Sequence, residues 1–314
     1  MIAVNPHAGA RSRDSLVEAI TAGLRQGGMK VERFEQIDEL VPAVEQRLAA
    51  GTLRAVVAAG GDGTVRLIAG RTPPRTPLVV LPLGTENLLA KYLEITTDPQ
   101  ALCRIITEGH AVRVDAGEAN GRLFSLMAGC GFDADVVRRV HRQRTGHIHH
   151  LSYAKPILDA LRNYEYPELR VYYRKSEDLP ALAVTESADD YNCEITARWV
   201  FVVNLPRYAR GLNFAPAASG TDGLLDVCTF KAGSLWSSLW YLGSVVIGQH
   251  QAMEDFSCVR TDRLRIEAAG PVPFQLDGDM GGELPLEVRT LPGRLTLLVS
   301  PTWAMRQGCV AEGV

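Results

Sequence analysis

The stretch Arg54-Ala-Val-Val-Ala-Ala-Gly-Gly-Asp-Gly-Thr64 narrows the choice of fold more than any other part of the chain. A short apolar run suited to a buried parallel strand breaks into Gly60-Gly61-Asp62-Gly63-Thr64. The glycines allow a sharp turn and let bare backbone N–H groups approach a ligand. From Thr64 to Ala69 no residue breaks a helix, and Gly70 ends the run. Strand, glycine turn and helix N-terminus together favour a phosphate, because unpaired N–H groups and the helix dipole act in the same direction. No Gly-Lys-Ser/Thr closes the loop, so it is not a Walker A loop. Taken alone, the motif fits equally well a tight turn in which Asp62 caps a helix.

A second glycine corner follows. Leu78–Leu83 is another apolar strand, ending in Gly84-Thr85-Glu86-Asn87 before a helix resumes at Leu88. Two strands ending this way put two loops at one sheet edge, where open α/β sheets bind ligands. The rest of the first third alternates in the same manner. A strand at Ile2–Val4 ends in Asn5-Pro6-His7-Ala8-Gly9, and a helix follows from Ser12 to Gly27. Lys30–Phe34 predicts a strand, and Ile37–Ala50 and Asp98–Glu108 predict helices. The expectation is a Rossmann-like three-layer α/β nucleotide domain over residues 1–110.

The pattern changes near Ala111. Asn120-Gly121 between Val112–Asp115 and Arg122–Leu126 is a two-residue hairpin signal. Strands are expected at Leu169–Tyr173, Ile195–Asn204, Leu225–Phe230, Ser257–Ile266, Phe274–Leu276, Leu286–Arg289 and Leu295–Val299, with helices at Val136–Asp159 and Leu235–Gln249. Residues 111–300 therefore predict a β-sandwich with inserted helices, and the tail 301–314 is expected to pack back on the first domain. The fold class is α/β plus all-β.

A net charge of −3 provides no basic field for nucleic acid. The six cysteines show no Cys-x-x-Cys spacing and suggest reduced thiols in a cytoplasmic protein. A strand at Met1–Val4 leaves no room for a signal peptide in the expected layout. The longest apolar window, Leu235–Ile247, is too short to cross a bilayer.

In order and spacing, Asn5-Pro-x-x-Gly9, Gly60-Gly-Asp-Gly-Thr64, Gly84-Thr-x-Asn87 and Asp277-Gly278-x279 resemble the diacylglycerol kinase catalytic domain family. That family includes bacterial lipid kinases and sphingosine kinases and is distantly similar to NAD kinases. The resemblance implies an active site in a cleft between the two domains. It also implies that Asn5, Gly9, Gly60, Gly61, Asp62, Gly63, Thr64, Thr85 and Asn87 serve ATP binding. In relatives an Asp-Gly-x turn binds Mg²⁺ through an aspartate and nearby carbonyls, which points here to Ser219, Asp222 and Leu224; an Asp-Gly hairpin turn without metal is equally compatible.

Phosphoryl transfer to an alcohol needs a carboxylate to accept the hydroxyl proton. Relatives carry Asp-Gly-Glu where this chain has Asp277-Gly278-Asp279, so Asp279 is the expected base and Asp277 the alternative. Arg66-Leu67 and Leu88 also stand where relatives carry polar residues.

The function implied is an ATP- and Mg²⁺-dependent kinase acting on diacylglycerol or a related lipid at a membrane surface. An NAD kinase-like enzyme and a catalytically weak nucleotide- or lipid-binding regulator are the alternatives. The oligomeric state stays open, a homodimer included. Three further stretches have bland readings by default. Arg11 and Arg13 could reach phosphates or begin a solvated helix. His141, His147, His149 and His150, with Arg138, Arg139, Arg142 and Arg144, suggest a solvated basic segment more than a metal site or a lipid-headgroup contact. Trp236 and Trp240 are expected in the core, with a lipid-chain entrance as the sharper reading.

Overall fold

The computed structural model describes residues 1–6, 12–142, 154–175, 191–206 and 212–307. The chain forms two compact units: Met1–Asp115 together with the segment from Gly293 onward, and Ala116–Pro292.

Unit 1 runs β1 (Ile2–Val4), α1 (Ser12–Gln26), β2 (Arg33–Phe34), α2 (Ile37–Ala49), β3 (Val56–Gly60), α3 (Asp62–Arg71), β4 (Pro77–Pro82), α4 (Leu88–Tyr92), α5 (Pro99–Glu108) and β5 (His110–Ala119). Its sheet has the order β2-β1-β3-β4 with parallel pairing throughout. Every residue of β3 is buried, as expected of a parallel strand with both faces covered. Val4 lies opposite Ala59 and Gly60 opposite Pro82, so β1, β3 and β4 end level with one another.

Unit 2 follows with β6 (Arg122–Phe124), β7 (Met127–Gly131), α6 (Phe132–Arg142), α7 (Ala154–Asn163), β8 (Leu169–Tyr173), β9 (Cys193–Ala197), β10 (Trp199–Val203), β11 (Leu225–Phe230), α8 (Leu235–Val246), β12 (Phe256–Thr261), β13 (Arg263–Ala268), β14 (Pro273–Leu276) and β15 (Asp279–Glu283). The last elements are β16 (Leu286–Val299) and α9 (Pro301–Arg306). One sheet has the order β12-β11-β10-β7-β14-β15, while the start of β16 pairs with β13, followed by β8 and β9. Val200, Val202, Leu225, Val227, Phe274 and Leu276 of the first sheet share a core with Leu169, Val171, Leu264, Ile266, Leu286 and Val288 of the second. The alternate residues Trp199, Phe201 and Phe230 join Phe132, Tyr166, Phe214 and Tyr241 in an aromatic layer. The period of two along each strand produces both layers from one sequence.

Several boundaries differ from the sequence expectation. Ile195–Asn204 and Ser257–Ile266 are each two strands, broken at Arg198 and Asp262, and each pair divides between the two sheets. The polar residue at the corner marks the crossing: Asp262 pairs with Arg174, and its carbonyl accepts from the Thr290 N–H. Conversely, Leu286–Val299 is one strand through Pro292-Gly293, with Gly293 at φ 56° donating its N–H to the Asp115 carboxylate. Thr296 and Leu297 then pair in parallel with Pro77 and Leu78, so β16 begins in unit 2 and ends in unit 1. The tail helix α9 buries Trp303, whose indole N–H donates to the Tyr92 carbonyl. Helix Val136–Asp159 is replaced by α6 and α7, with residues 143–153 outside the described part. Strand β7, Met-Ala-Gly-Cys-Gly, had no sequence expectation at all.

The core assignment of Trp236 and Trp240 is overturned. Both are exposed on α8, which buries Ser238, Tyr241, Ser244 and Val245 instead.

Phe230 is fully buried and touches the rings of Trp199, Phe201, Phe214, Tyr241 and Phe256. Phe230→Ala is expected to remove about 3–5 kcal/mol of stability, measured by urea unfolding.

Candidate active site

Three loops of unit 1 meet where β1, β3 and β4 end. Asn5 follows β1, Gly60–Thr64 follows β3, and Gly84–Asn87 follows β4. The Asn5 side-chain amide donates to the Thr64 hydroxyl at 3.0 Å, which ties the first loop to the second. A Cβ on Gly60 would lie 2.2 Å from that hydroxyl, so the strand can approach the helix this closely only without a side chain. A Cβ on Gly84 would lie 2.6 Å from the Gly61 Cα; the second and third loops are therefore in backbone contact.

Asn87 sits in the left-handed region at φ 49° and clamps its own loop, accepting from Gly84 N–H and donating to Gly84 C=O, both at 2.8 Å. Asp62 decides between its two sequence readings by geometry. Its buried carboxylate accepts from Leu88 N–H and Leu89 N–H, both at 2.9 Å. It therefore caps α4, the helix of the neighbouring loop. Two helices open at this sheet edge, and Asp62 satisfies donors at the N-terminus of α4, while Gly61 to Gly63 form the N-terminus of α3. Thr85 is exposed at the tip of its loop, and Leu88 is buried. Leu67 is exposed on α3. Gly9, Arg11 and the side chain of Arg13 lie outside the described residues. A cavity of about 190 Å³ lined by Met1, Leu24, Met29, Arg47 and Ala55 lies at the other end of the strands from these loops.

In unit 2, Asp277-Gly278 forms the two-residue turn between β14 and β15, with Leu276 opposite Asp279. Both turn residues have positive φ, 52° and 85°, as a type I′ turn requires. The Asp277 carboxylate accepts four hydrogen bonds: from Ser125 N–H at 2.8 Å and hydroxyl at 3.1 Å, from Leu126 N–H at 2.8 Å, and from Met127 N–H at 3.1 Å. With both oxygens accepting twice, Asp277 anchors the entry to β7 and is poorly placed to act as a base. Asn204 holds the same segment through the Ser125 carbonyl.

A second chain of bonds holds the other side of the turn. Gly278 N–H donates to the Gln275 side chain at 2.6 Å, and Gln275 donates to Asp133 at 2.9 Å. A Cβ on Gly129 would lie 2.3 Å from the Asp133 carboxylate, which is why β7 carries glycine there. Asp279, half-buried, leaves this rigid turn as the first residue of β15. Sequence reasoning missed Gln275, Asp133 and Ser125; the glycines of β7 were the available signal. Cys130, between those glycines, is inert as a nucleophile because burial and the neighbouring Asp133 push its thiol pKa up.

The residues expected to hold a metal are engaged with protein partners. Asp222 is ion-paired with Arg260 and accepts from Leu224 N–H at 3.0 Å, forming a capped turn. Ser219 hydrogen-bonds with Thr221 at 3.2 Å. Among the described residues no cluster of three or more His, Cys, Asp or Glu side chains could hold a metal. The basic segment also differs from expectation: Arg138 and Arg139 both pair with the buried Asp135 rather than with solvent. His147, His149, His150 and Arg144 lie outside the described residues.

Asp277→Asn would turn an amide donor toward N–H donors that now meet a carboxylate. It is expected to lower stability by about 1–3 kcal/mol, read from the urea midpoint at unchanged slope. Asp62→Ala is expected to cost about 0.5–2 kcal/mol by uncapping α4, and protease nicking near residue 88 should rise with it.

Comparison with known proteins places this geometry. Residues 1–119 match the diacylglycerol kinase catalytic domain, and residues 127–299 match the YegS C-terminal NAD kinase beta sandwich-like domain. A diacylglycerol kinase of Mycobacterium tuberculosis (strain H37Rv) is 28% identical over 254 residues, covering 78% of this chain and 76% of that protein. A "Probable lipid kinase YegS-like" of Pseudomonas aeruginosa (strain PAO1) is 28% identical over 288 residues, 90% of this chain and 87% of its own length. In fold, the chain is similar to the crystal structure of a diacylglycerol kinase from Bacillus anthracis str. Sterne, with a TM-score of 0.66 at 21% identity and 96% of each chain covered. The chain belongs to the diacylglycerol kinase catalytic domain family and is a lipid kinase.

Proposed function

We propose that the enzyme transfers the γ-phosphoryl group of ATP to a hydroxyl of diacylglycerol or a closely related lipid. The observation that carries this reading is the junction of three loops at one sheet edge, where Gly61 and Gly84 touch backbone to backbone and α3 opens. Such a surface of peptide N–H groups is suited to a triphosphate. On this reading Asn5 and Thr64 fix the first loop, Gly60–Gly63 approach the phosphates, and Thr85 and Asn87 shape the third loop. The curated relatives' names support the lipid as acceptor.

In the reaction the acceptor hydroxyl oxygen bonds to the γ-phosphorus as the bond from that phosphorus to the β–γ bridging oxygen breaks, and ADP leaves with that oxygen. The hydroxyl proton goes to the Asp279 carboxylate. Asp277, Gln275 and Asp133 act as positioning residues, holding the turn from which Asp279 emerges. Bound with the triphosphate, Mg²⁺ would offset its charge. On this reading the protein is cytoplasmic, acts on its lipid at a membrane surface and binds there peripherally.

A labelled-ATP assay with mixed micelles of diacylglycerol, ceramide and monoacylglycerol, and NAD in a parallel tube, tests the reading; label in NAD and in none of the lipids would sink it. Asp279→Asn is expected to lower kcat by about 10²–10⁴-fold with little change in the KM for ATP. Gln275→Leu should lower kcat less, and restoring Gln275 as Glu should recover only part, because the Gly278 acceptor returns while the donor to Asp133 does not.

A further inference from the structure

Helix α8 is amphipathic in the wrong sense for a soluble protein. Its buried stripe is Ser238, Tyr241, Ser244 and Val245, and its exposed stripe is Trp236, Leu239, Trp240, Val246 and Ile247 at helical spacing. Trp236 is 78% exposed and Trp240 67%. The buried polar groups are satisfied. The Ser238 hydroxyl lies 2.8 Å from the Tyr166 hydroxyl and 2.8 Å from the Ser234 carbonyl, and Tyr241 donates to Asp255 at 3.0 Å. The packing of α8 is therefore specific, and the apolar stripe faces outward by construction. A contiguous exposed apolar patch of this kind marks a contact surface.

We infer that the exposed face of α8 is the surface by which the enzyme docks on a lipid bilayer, lying in the plane of the interface. This rests on the proposed reading of the acceptor as a bilayer lipid, and three features select the bilayer. From Ala232 to Met253 the sequence holds no Asp, Glu, Lys or Arg, so no charge has to enter the apolar zone.

Both ends of the helix are capped. At the start, Ser234 N–H donates to the Ser237 hydroxyl at 2.9 Å and Ser237 N–H to the Ser234 hydroxyl at 3.1 Å. At the end, the N–H groups of Ile247, Gly248 and Gln249 donate back to Gly243, Val245 and Ser244, with Gly248 at φ 72°. Caps at both ends reduce the number of backbone groups that depend on water. Finally, two tryptophans beside aliphatic residues are the side chains that settle at headgroup depth. The helix is about 18 Å long, too short to cross a bilayer and suited to lying in its surface. The exposed Lys231 just before it and Arg162 at the end of the adjacent α7 can meet lipid phosphates.

The test uses intrinsic fluorescence of the full chain. Of the four tryptophans, Trp199 and Trp303 are 2% and 1% exposed, so solvent-sensitive emission comes from α8. Vesicles of phosphatidylcholine and phosphatidylglycerol should shift the emission to the blue, and brominated phosphatidylcholine acyl chains should quench it. Trp236→Ser with Trp240→Ser should weaken vesicle flotation by about 10-fold or more, leave the Tm unchanged, and spare turnover of a short-chain diacylglycerol dissolved as monomers. Turnover of long-chain diacylglycerol in vesicles should fall.

Absence of quenching, or flotation unchanged in the double variant, overturns the inference. So does a dimer of the wild type that the same substitutions split into monomers, which would assign the face to a second copy. Tryptophan-dependent vesicle binding by a protein that phosphorylates no lipid would uphold the docking surface and refute the proposed acceptor.

Discussion

The Asp62 carboxylate holds the glycine-loop edge of unit 1 in one piece. It leaves the first turn of α3 and closes the first turn of α4, so the loops after β3 and β4 cannot separate without stranding two buried N–H groups. The same contact sets the glycine requirement. Once Asp62 has drawn the two loops together, Gly61 and Gly84 face each other at a distance no side chain allows. Asn87 then takes the left-handed conformation that lets its amide fold back on Gly84. The motif is thus less a set of ligand-touching residues than a way of bringing peptide groups to a surface.

Unit 2 repeats the device with different parts. Asp277 gathers donors from Ser125, Leu126 and Met127, just as Asp62 gathers those of Leu88 and Leu89. In both motifs the aspartate beside the glycine is an acceptor for backbone. Asp279 differs from Asp277 in position on the turn: one residue sits at its left-handed corner, the other at its exit, where the side chain belongs to the strand. A half-buried carboxylate on a turn braced from both sides has few ways to move, as the base role proposed for Asp279 would require.

Much of this was legible in the sequence, for identifiable reasons. The parallel unit announces itself because short apolar strands and glycine corners alternate with helical segments, and each signal is local. The hairpin at Asn120-Gly121 was equally plain, since both residues take the positive φ that the pair predicts. The failures share a cause: they depend on partners distant in sequence. Strand β7 carries glycine at position 129 because Asp133 and Gln275 fill the space above it. The corners at Arg198 and Asp262 interrupt strand-like stretches by a single residue, which no period can separate from a continuous strand. Asp62 and Asp222 could each be assigned a ligand from sequence because the groups that occupy them, α4 and Arg260, lie 26 and 38 residues away. Trp236 and Trp240 were misplaced for the opposite reason. Their environment follows from Ser238 and Ser244 packing inward, against every average tendency of those residue types.

The passage of β16 from one unit into the other bears on biosynthesis. Unit 1 takes its fifth parallel strand and the Trp303 helix from the end of the chain, so the ribosome has made all of unit 2 before β4 can be paired along its outer edge. Until then Pro77 and Leu78 present an open parallel strand, the kind of edge that recruits other chains. A gene cut anywhere after the glycine motifs but before residue 293 would specify those motifs without the strand that closes their sheet.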